Sequence, residues 1–234
     1  MSWLARLDID VEAAYAAGIL GNYHWHKRLW ECYPDAAEAK RDFLTRIDHL
    51  ERSFRIWIMG KRKPLRPQWC SAAGFAVKEI APSFFNHRHY VFDLRANPVK
   101  AVLQRGPQGE PLLGPKGKRK RGKRVPLVRP EDLRAWLTRK GEVRRRDEAT
   151  GRDVGGGFRV MDERPLEITR AVQTYFSKNG KEAYHSAVQF RGTLEVTDRA
   201  RFVESYHAGL GGAKGFGFGL LLLAPVRLAA HHTY

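Results

Sequence analysis

Apolar and polar positions alternate over residues 2–8, which predicts a strand. Residues 53–59 predict another, with Phe54, Ile56 and Ile58 on one face. Asn22 suits the cap of a helix running from Tyr23 to Tyr33, and Pro34 would stop it. Residues 35–49 read as helical, Gln68 to Ile80 holds a strand, and Tyr90 to Leu94 a further one. Behind Pro130, the spacing of Leu133, Trp136 and Leu137 predicts a helix over Glu131–Lys140. Residues 165–176 and 183–197 are strand-like, and the Asn-Gly within Ser177–Lys181 marks a hairpin tip between them. Residues 198–208 predict a last helix. The apolar run from Leu220 to Ala224 is too short to cross a bilayer and reads as a buried strand.

Strand, helix, strands, helix, strand therefore occurs twice, the order of the ferredoxin-like fold. The expected class is α+β, with two tandem βαββαβ domains spanning residues 1–94 and 95–228. The second half fits that order better than the first. The ring-stacking signature of ordinary RNA-recognition domains is absent, so Phe216 and Phe218 are expected to pack into the core.

Charge changes this picture most. The 234 residues carry a net charge of +17, which points to a polyanionic partner, nucleic acid first. From Lys116 to Arg124, seven of nine residues are Lys or Arg, within a Gly- and Pro-rich loop over 105–124. No basic amphipathic helix or lipidation motif suggests a membrane partner. The first ten residues carry charges and lack a long apolar core, which argues against a signal peptide. Cys32 and Cys70 form no C-x-x-C, so neither a disulfide scaffold nor a structural zinc site is expected, and the reducing cytoplasm is the expected compartment. His24-x-His26 and His87-x-His89 lack neighbouring Cys or carboxylate ligands at a zinc spacing, so no metal or cofactor is expected.

Between Gly209 and Gly219, six of eleven residues are glycine, with Lys214 in the middle. Exposed N–H groups on such a loop suit a polyanion, and Lys214, Gly211 and Gly217 are its candidate contacts. Neither a dinucleotide-binding fingerprint after an N-terminal strand nor G-K-[ST] occurs. The spacing G-h-G, five residues, G-h-G (h apolar) resembles instead the glycine-rich loop of the CRISPR repeat-processing endoribonucleases. Tyr23-His-Trp-His26 with Pro34 is similar to the Y-x-x-H segment of the family's CasE branch, from the type I-E Cascade complex. Leu94-Arg-Ala-Asn-Pro-Val-Lys100 is similar to its L-R-A-N-P-x-K segment, Lys123–Leu127 with Ala135–Leu137 to the strand and helix that follow, and Phe190–Leu194 with Asp198 to F-x-G-x-L-x-x-x-D. The resemblance covers most of the chain in order. It departs at 105–122, where this chain is longer and more basic, and in the tail after Pro225.

The resemblance implies a metal-independent nuclease that cuts precursor RNA at the base of the repeat stem-loop and leaves a 2′,3′-cyclic phosphate. It also implies that the product hairpin stays bound, in a surveillance complex with guide RNA and other Cascade subunits. RNA supplies the 2′-hydroxyl nucleophile, so the enzyme needs only proton transfer and charge stabilisation. On a helix, Tyr23 and His26 share a face that Lys27 borders, while Trp25, Leu29 and Cys32 fall inward. By resemblance His26 is the acid/base and Tyr23 orients it or the phosphate, with Lys27 or Arg28 stabilising charge. A basic hairpin grips RNA in the family, which assigns that role to Lys178 and Lys181; Arg170 would extend the track, and Lys100 adds a cation from the L-R-A-N-P-x-K segment. A non-catalytic RNA-hairpin-binding subunit and a basic structural protein are the alternatives. Retention of His26 speaks against the former and the glycine spacing against the latter.

Overall fold

The structure is a computed structural model and describes all residues except 37–40, 115–120, 143–154, 162–164, 171–173, 179–180 and 227–234. The side chains of 22–23, 36, 121, 174–178 and 181–185 also lie outside that description.

The chain opens with β1 (Ser2–Asp10), α1 (Val11–Ala16) and α2 (Asn22–Arg28). Alternation in β1 buries Ala5, Leu7 and Ile9, and Asp10 then caps α1 by accepting from the Ala13 N–H at 2.6 Å. The strands β2 (Phe43–His49), β3 (Ser53–Gly60) and β4 (Phe75–Ile80) join β1 in an antiparallel sheet of order β2-β3-β1-β4. This is the ferredoxin-like order, but the crossover from β3 to β4 over 61–74 carries no helix.

The second sheet is built on β5 (His89–Ala96). A two-stranded ribbon follows, β6 (Val99–Leu103) with β7 (Arg121–Pro126), and then α3 (Pro130–Gly141). The strands β8 (Phe158–Val160) and β9 (Glu167–Arg170) precede a hairpin of β10 (Thr174–Lys178) and β11 (Lys181–His185). The chain finishes with β12 (Val188–Val196), α4 (Arg199–Ala208) and β13 (Leu221–Pro225). The sheet order is β13-β5-β12-β8, with β9 also on β12, again antiparallel and again ferredoxin-like. The molecule is thus two tandem ferredoxin-like units.

Several expectations change. The helix expected at 35–49 is instead β2, preceded by a single 3-10 turn at Pro34–Ala36. The helix expected over Tyr23–Tyr33 stops at Arg28 and continues as a 3-10 turn to Cys32, and Gly21 rather than Asn22 occupies its cap. The strand at Tyr90–Leu94, expected to end the first unit, is the core of β5 and pairs in the second sheet. Part of the expected 105–124 loop is strand β7.

The physical reason for the β2 error is burial on both sides. Phe43, Leu44, Thr45 and Arg46 are all buried, so no alternation survives in the sequence. Phe43 joins Trp25, Leu29, Ile56 and Ile58 in the core under α1 and α2. Leu44 joins Met59, Ile80 and the aromatic residues of α3, α4 and β12 in the other core. The first sheet therefore lies between two cores.

A polar seam crosses from β2 to β5. Arg46 donates from Nε to Asp48 (2.8 Å) and from Nη1 to Asp93 (2.8 Å), and Arg191 reaches the same Asp93 at 3.1 Å. Arg95 donates to the Ile47 carbonyl at 2.8 Å. Removing one member of a buried ion cluster leaves the others uncompensated. Arg46→Ala should lower stability by about 3 kcal/mol, near the low end of the range for a broken buried pair because Asp93 keeps Arg191. The midpoint of urea unfolding checks this.

Candidate active site

Helix α2 is held by its inward face. Trp25, Leu29 and Cys32 recur at helical spacing and are buried, with Trp25 edge-on to Phe54 (5.3 Å) and Trp69 (5.9 Å). This matches the sequence reading and leaves His26 half-buried on the other side, with Lys27 exposed next to it. Tyr23 lies one turn back on α2, but its side chain lies outside the described residues.

The decisive partner of His26 is Arg41, just before β2, which the sequence reading missed. Its Nη1 lies 3.2 Å from His26 Nδ1 and donates to the Gly215 carbonyl at 2.8 Å. Its Nη2 donates to Thr45 Oγ1 (2.6 Å) and its Nε to the Phe43 carbonyl (3.1 Å), and the guanidinium lies 4.7 Å from the Phe43 ring centre. A guanidinium only donates, so Nδ1 is the acceptor and the neutral imidazole carries its proton on Nε2. Burial, then the adjacent Arg41 charge, lower the His26 pKa below its ordinary value, against a backbone hydrogen bond with Gly215 that raises it. Burial pushes Arg41 itself down to about 10, so it stays charged at neutral pH.

Gly215 belongs to the glycine loop, which folds back on itself and onto β5. Leu210 N–H donates to the Gly219 carbonyl and Gly219 N–H to the Arg95 carbonyl, at 2.9 and 2.8 Å. Gly219 has φ +88°, and a Cβ there would meet the Leu210 oxygen at 2.7 Å. Gly211 has φ +85° and abuts Trp136, where a Cβ would lie 3.0 Å from Cζ2. These glycines are needed for conformation and close approach, a role independent of any ligand. Gly217, at φ +84°, follows the turn that carries Lys214 and Gly215 past β2. Phe218 is buried as expected. Phe216 is not, at 43% exposure on the rim of the loop, because the turn at Lys214–Phe216 rotates it outward.

The remaining candidates disperse. Arg28 is engaged in structure, donating to Glu31 (2.6 Å) and to the Ala17 carbonyl (2.5 Å). Lys214 donates to the Ala208 carbonyl at the end of α4. Lys100 is exposed on β6 opposite Val125, and Arg170 is exposed on β9, donating to the Val128 carbonyl at 2.6 Å. Lys178 and Lys181 are cross-strand partners at the turn end of the β10–β11 hairpin, and their side chains lie outside the described residues. Among the described residues, no group of three His, Cys, Asp or Glu is placed to hold a metal ion.

Residues 2–225 match the model of the family described as CRISPR associated protein. The chain belongs to that family. Within this CRISPR-associated family it is 30% identical to the CRISPR system Cascade subunit CasE of Escherichia coli strain K12, over 87% of this chain and 92% of that one. It is 28% identical to the CRISPR-associated endoribonuclease Cse3 of Thermus thermophilus, over 95% of this chain and all of the other. The solved structure of Thermus thermophilus Cse3 bound to an RNA representing a pre-cleavage complex superposes with a TM-score of 0.65 at 26% identity, covering 96% of this chain and 99% of that one. These matches support the CasE reading of the CRISPR-associated family motifs. No helix among the described residues is long and apolar enough to cross a membrane.

The His26–Arg41 contact is directly measurable. Lowering of the pKa means that His26 is neutral at pH values just below 6.5, where an unperturbed imidazole is already half charged. An NMR titration of His26 should show a midpoint below 6.5. Arg41→Gln, which removes the positive charge while keeping donors, should move that midpoint upward.

Proposed function

We propose that this chain is a metal-independent endoribonuclease that cuts CRISPR precursor RNA at the base of the repeat stem-loop. The observation that supports this best is the convergence of His26, Arg41 and Gly215, from a helix, a strand edge and the glycine loop, on one half-buried imidazole. Such a cluster suits transfer within RNA. The 2′-oxygen loses its proton and bonds to phosphorus, the bond from phosphorus to the 5′-oxygen breaks, and the leaving oxygen takes up a proton. The products are a 2′,3′-cyclic phosphate and a free 5′-hydroxyl.

His26 serves as the proton carrier, because an imidazole titrates near neutrality. To take up a proton the ring must free a nitrogen lone pair, so RNA binding displaces the Arg41 contact at Nδ1. The guanidinium stands within one side chain of the ring and stabilises the charge that builds on the phosphate oxygens, with Lys27 adding a second cation. Tyr23, one turn before His26 on α2, orients the phosphate or the ring. The β10–β11 hairpin, with Lys178 and Lys181 at its tip, grips the stem, and Arg170 and Lys214 extend the basic track. After the cut the protein keeps the 3′ hairpin of the guide RNA as a subunit of a Cascade-type complex, and it works in the cytoplasm.

His26→Ala should lower single-turnover cleavage of a labelled repeat hairpin at least about 100-fold, the scale of lost acid–base catalysis, with binding changed little. Equal loss of binding would make His26 a structural residue. Cleavage by the wild type should persist in EDTA; loss restored by a divalent ion would sink the metal-free reaction.

A further inference from the structure

A second basic feature adjoins the glycine loop. The C-terminal ends of α3 and α4 and the loop enclose a cleft of about 370 Å³. Arg139, Lys140, Arg201 and Lys214 line it, and Glu204 is the one carboxylate on its wall. Arg201 is paired with Asp198 at 3.2 Å. Among the described residues, no carboxylate forms a salt bridge with Arg139, Lys140 or Lys214.

The cleft is built rather than incidental. Trp136, stacked on Phe190 at 5.8 Å, backs one of the lining residues, with the Lys140 ammonium 5.7 Å from its ring centre. The loop reaches the same ring through Gly211, as described above. Burial, then the Arg139 charge, lower the Lys140 pKa, and burial, then the Lys140 charge, lower that of Lys214. Two partly desolvated ammonium groups thus share the cleft and, among the described residues, neither forms a salt bridge.

A simpler account is that these cations cap helix ends. Lys214 does cap the Ala208 carbonyl, and Arg139 and Lys140 sit in the last turn of α3. The two helix ends together contribute only about one negative charge, and Glu204 one more, against three full positive ones. Dipole complementarity alone would also let the lysines splay apart into water. Their convergence in one cleft leaves a net positive site that an anion would relieve.

We propose that this cleft binds a phosphodiester of the single-stranded RNA outside the repeat stem, with Arg139, Lys140 and Lys214 as its ligands. The proposal rests on the nuclease reading above and extends it. Lys214 adjoins Gly215, whose carbonyl holds Arg41 against His26. A phosphate seated on Lys214 therefore lies one residue from the catalytic cluster, and a strand passing over the loop would be held on both sides of it. The strand could run upstream of the stem or downstream of the cut; both present the same backbone chemistry.

The test uses three RNAs: the hairpin ending at the cut, the hairpin with a downstream flank, and the hairpin with an upstream single strand. Each carries a 2′-deoxy substitution at the cut, so that binding is read by fluorescence anisotropy without cleavage. R139A/K140A should weaken binding to one flanked RNA by about tenfold for each charge-assisted hydrogen bond removed. The slope of log K against log salt should become shallower by about 0.7, the value for one phosphate on a single strand. The charge-preserving R139K/K140R should restore both, and the flank that responds identifies the strand. Equal weakening on all three RNAs, or weakening on none, would overturn the proposal. Should the wild type cut no unmodified RNA while the flank dependence holds, the nuclease reading fails and the cleft stands. Cleavage without flank dependence would mean the reverse.

Discussion

The architecture of the site depends on one half-buried guanidinium. Arg41 is drawn out of water into a place where no described carboxylate pairs with it, so its charge must be met by neutral acceptors. It finds the Phe43 and Gly215 carbonyls, the Thr45 hydroxyl and the His26 ring nitrogen. The rigid fork of five donors makes this possible, where a lysine would reach fewer partners at fixed angles. The requirement works both ways. Arg41 pins helix, strand and loop together, and its hold on His26 lasts while the ring nitrogen accepts.

The rest of the fold supplies those partners. The first sheet carries α2 on one face and gives Leu44, Met59 and Ile80 to the second core on the other. That placement brings β2 beside the loop that leaves α4, so that two units of separate sequence share one polar seam through Arg46, Asp93 and Arg95. The glycines of the loop allow it to lie against β2, β5 and Trp136 at separations that side chains would not permit.

Net charge alone overstates the surface offered to RNA. Arg28, Arg46, Arg55, Arg62 and Arg88 are each committed to carboxylates, and Arg41 and Arg95 to carbonyls. Of the candidate contacts, Lys100 on β6 and Arg170 on β9 remain exposed. Affinity for a polyanion then comes from location more than from number.

The sequence by itself determined the elements whose two faces differ in polarity. The spacing of Leu133, Trp136 and Leu137 in α3 and the inward face of α2 appear as local periodicity, and the alternation of β1 and β3 survives because Arg6, Asp8 and Arg55 interrupt the face turned toward the second core. From the α2 pattern alone, His26 is placed off the face formed by Trp25, Leu29 and Cys32. Tertiary structure decided what periodicity does not record. Strand β2 is buried on both faces and so carries no period. Arg41 meets His26 across 15 residues and Gly215 across 174, and no window of sequence contains both contacts. Phe216 turns outward and Phe218 inward, and Arg28 closes on Ala17 and Glu31, because the folded chain fixes which neighbours each side chain has.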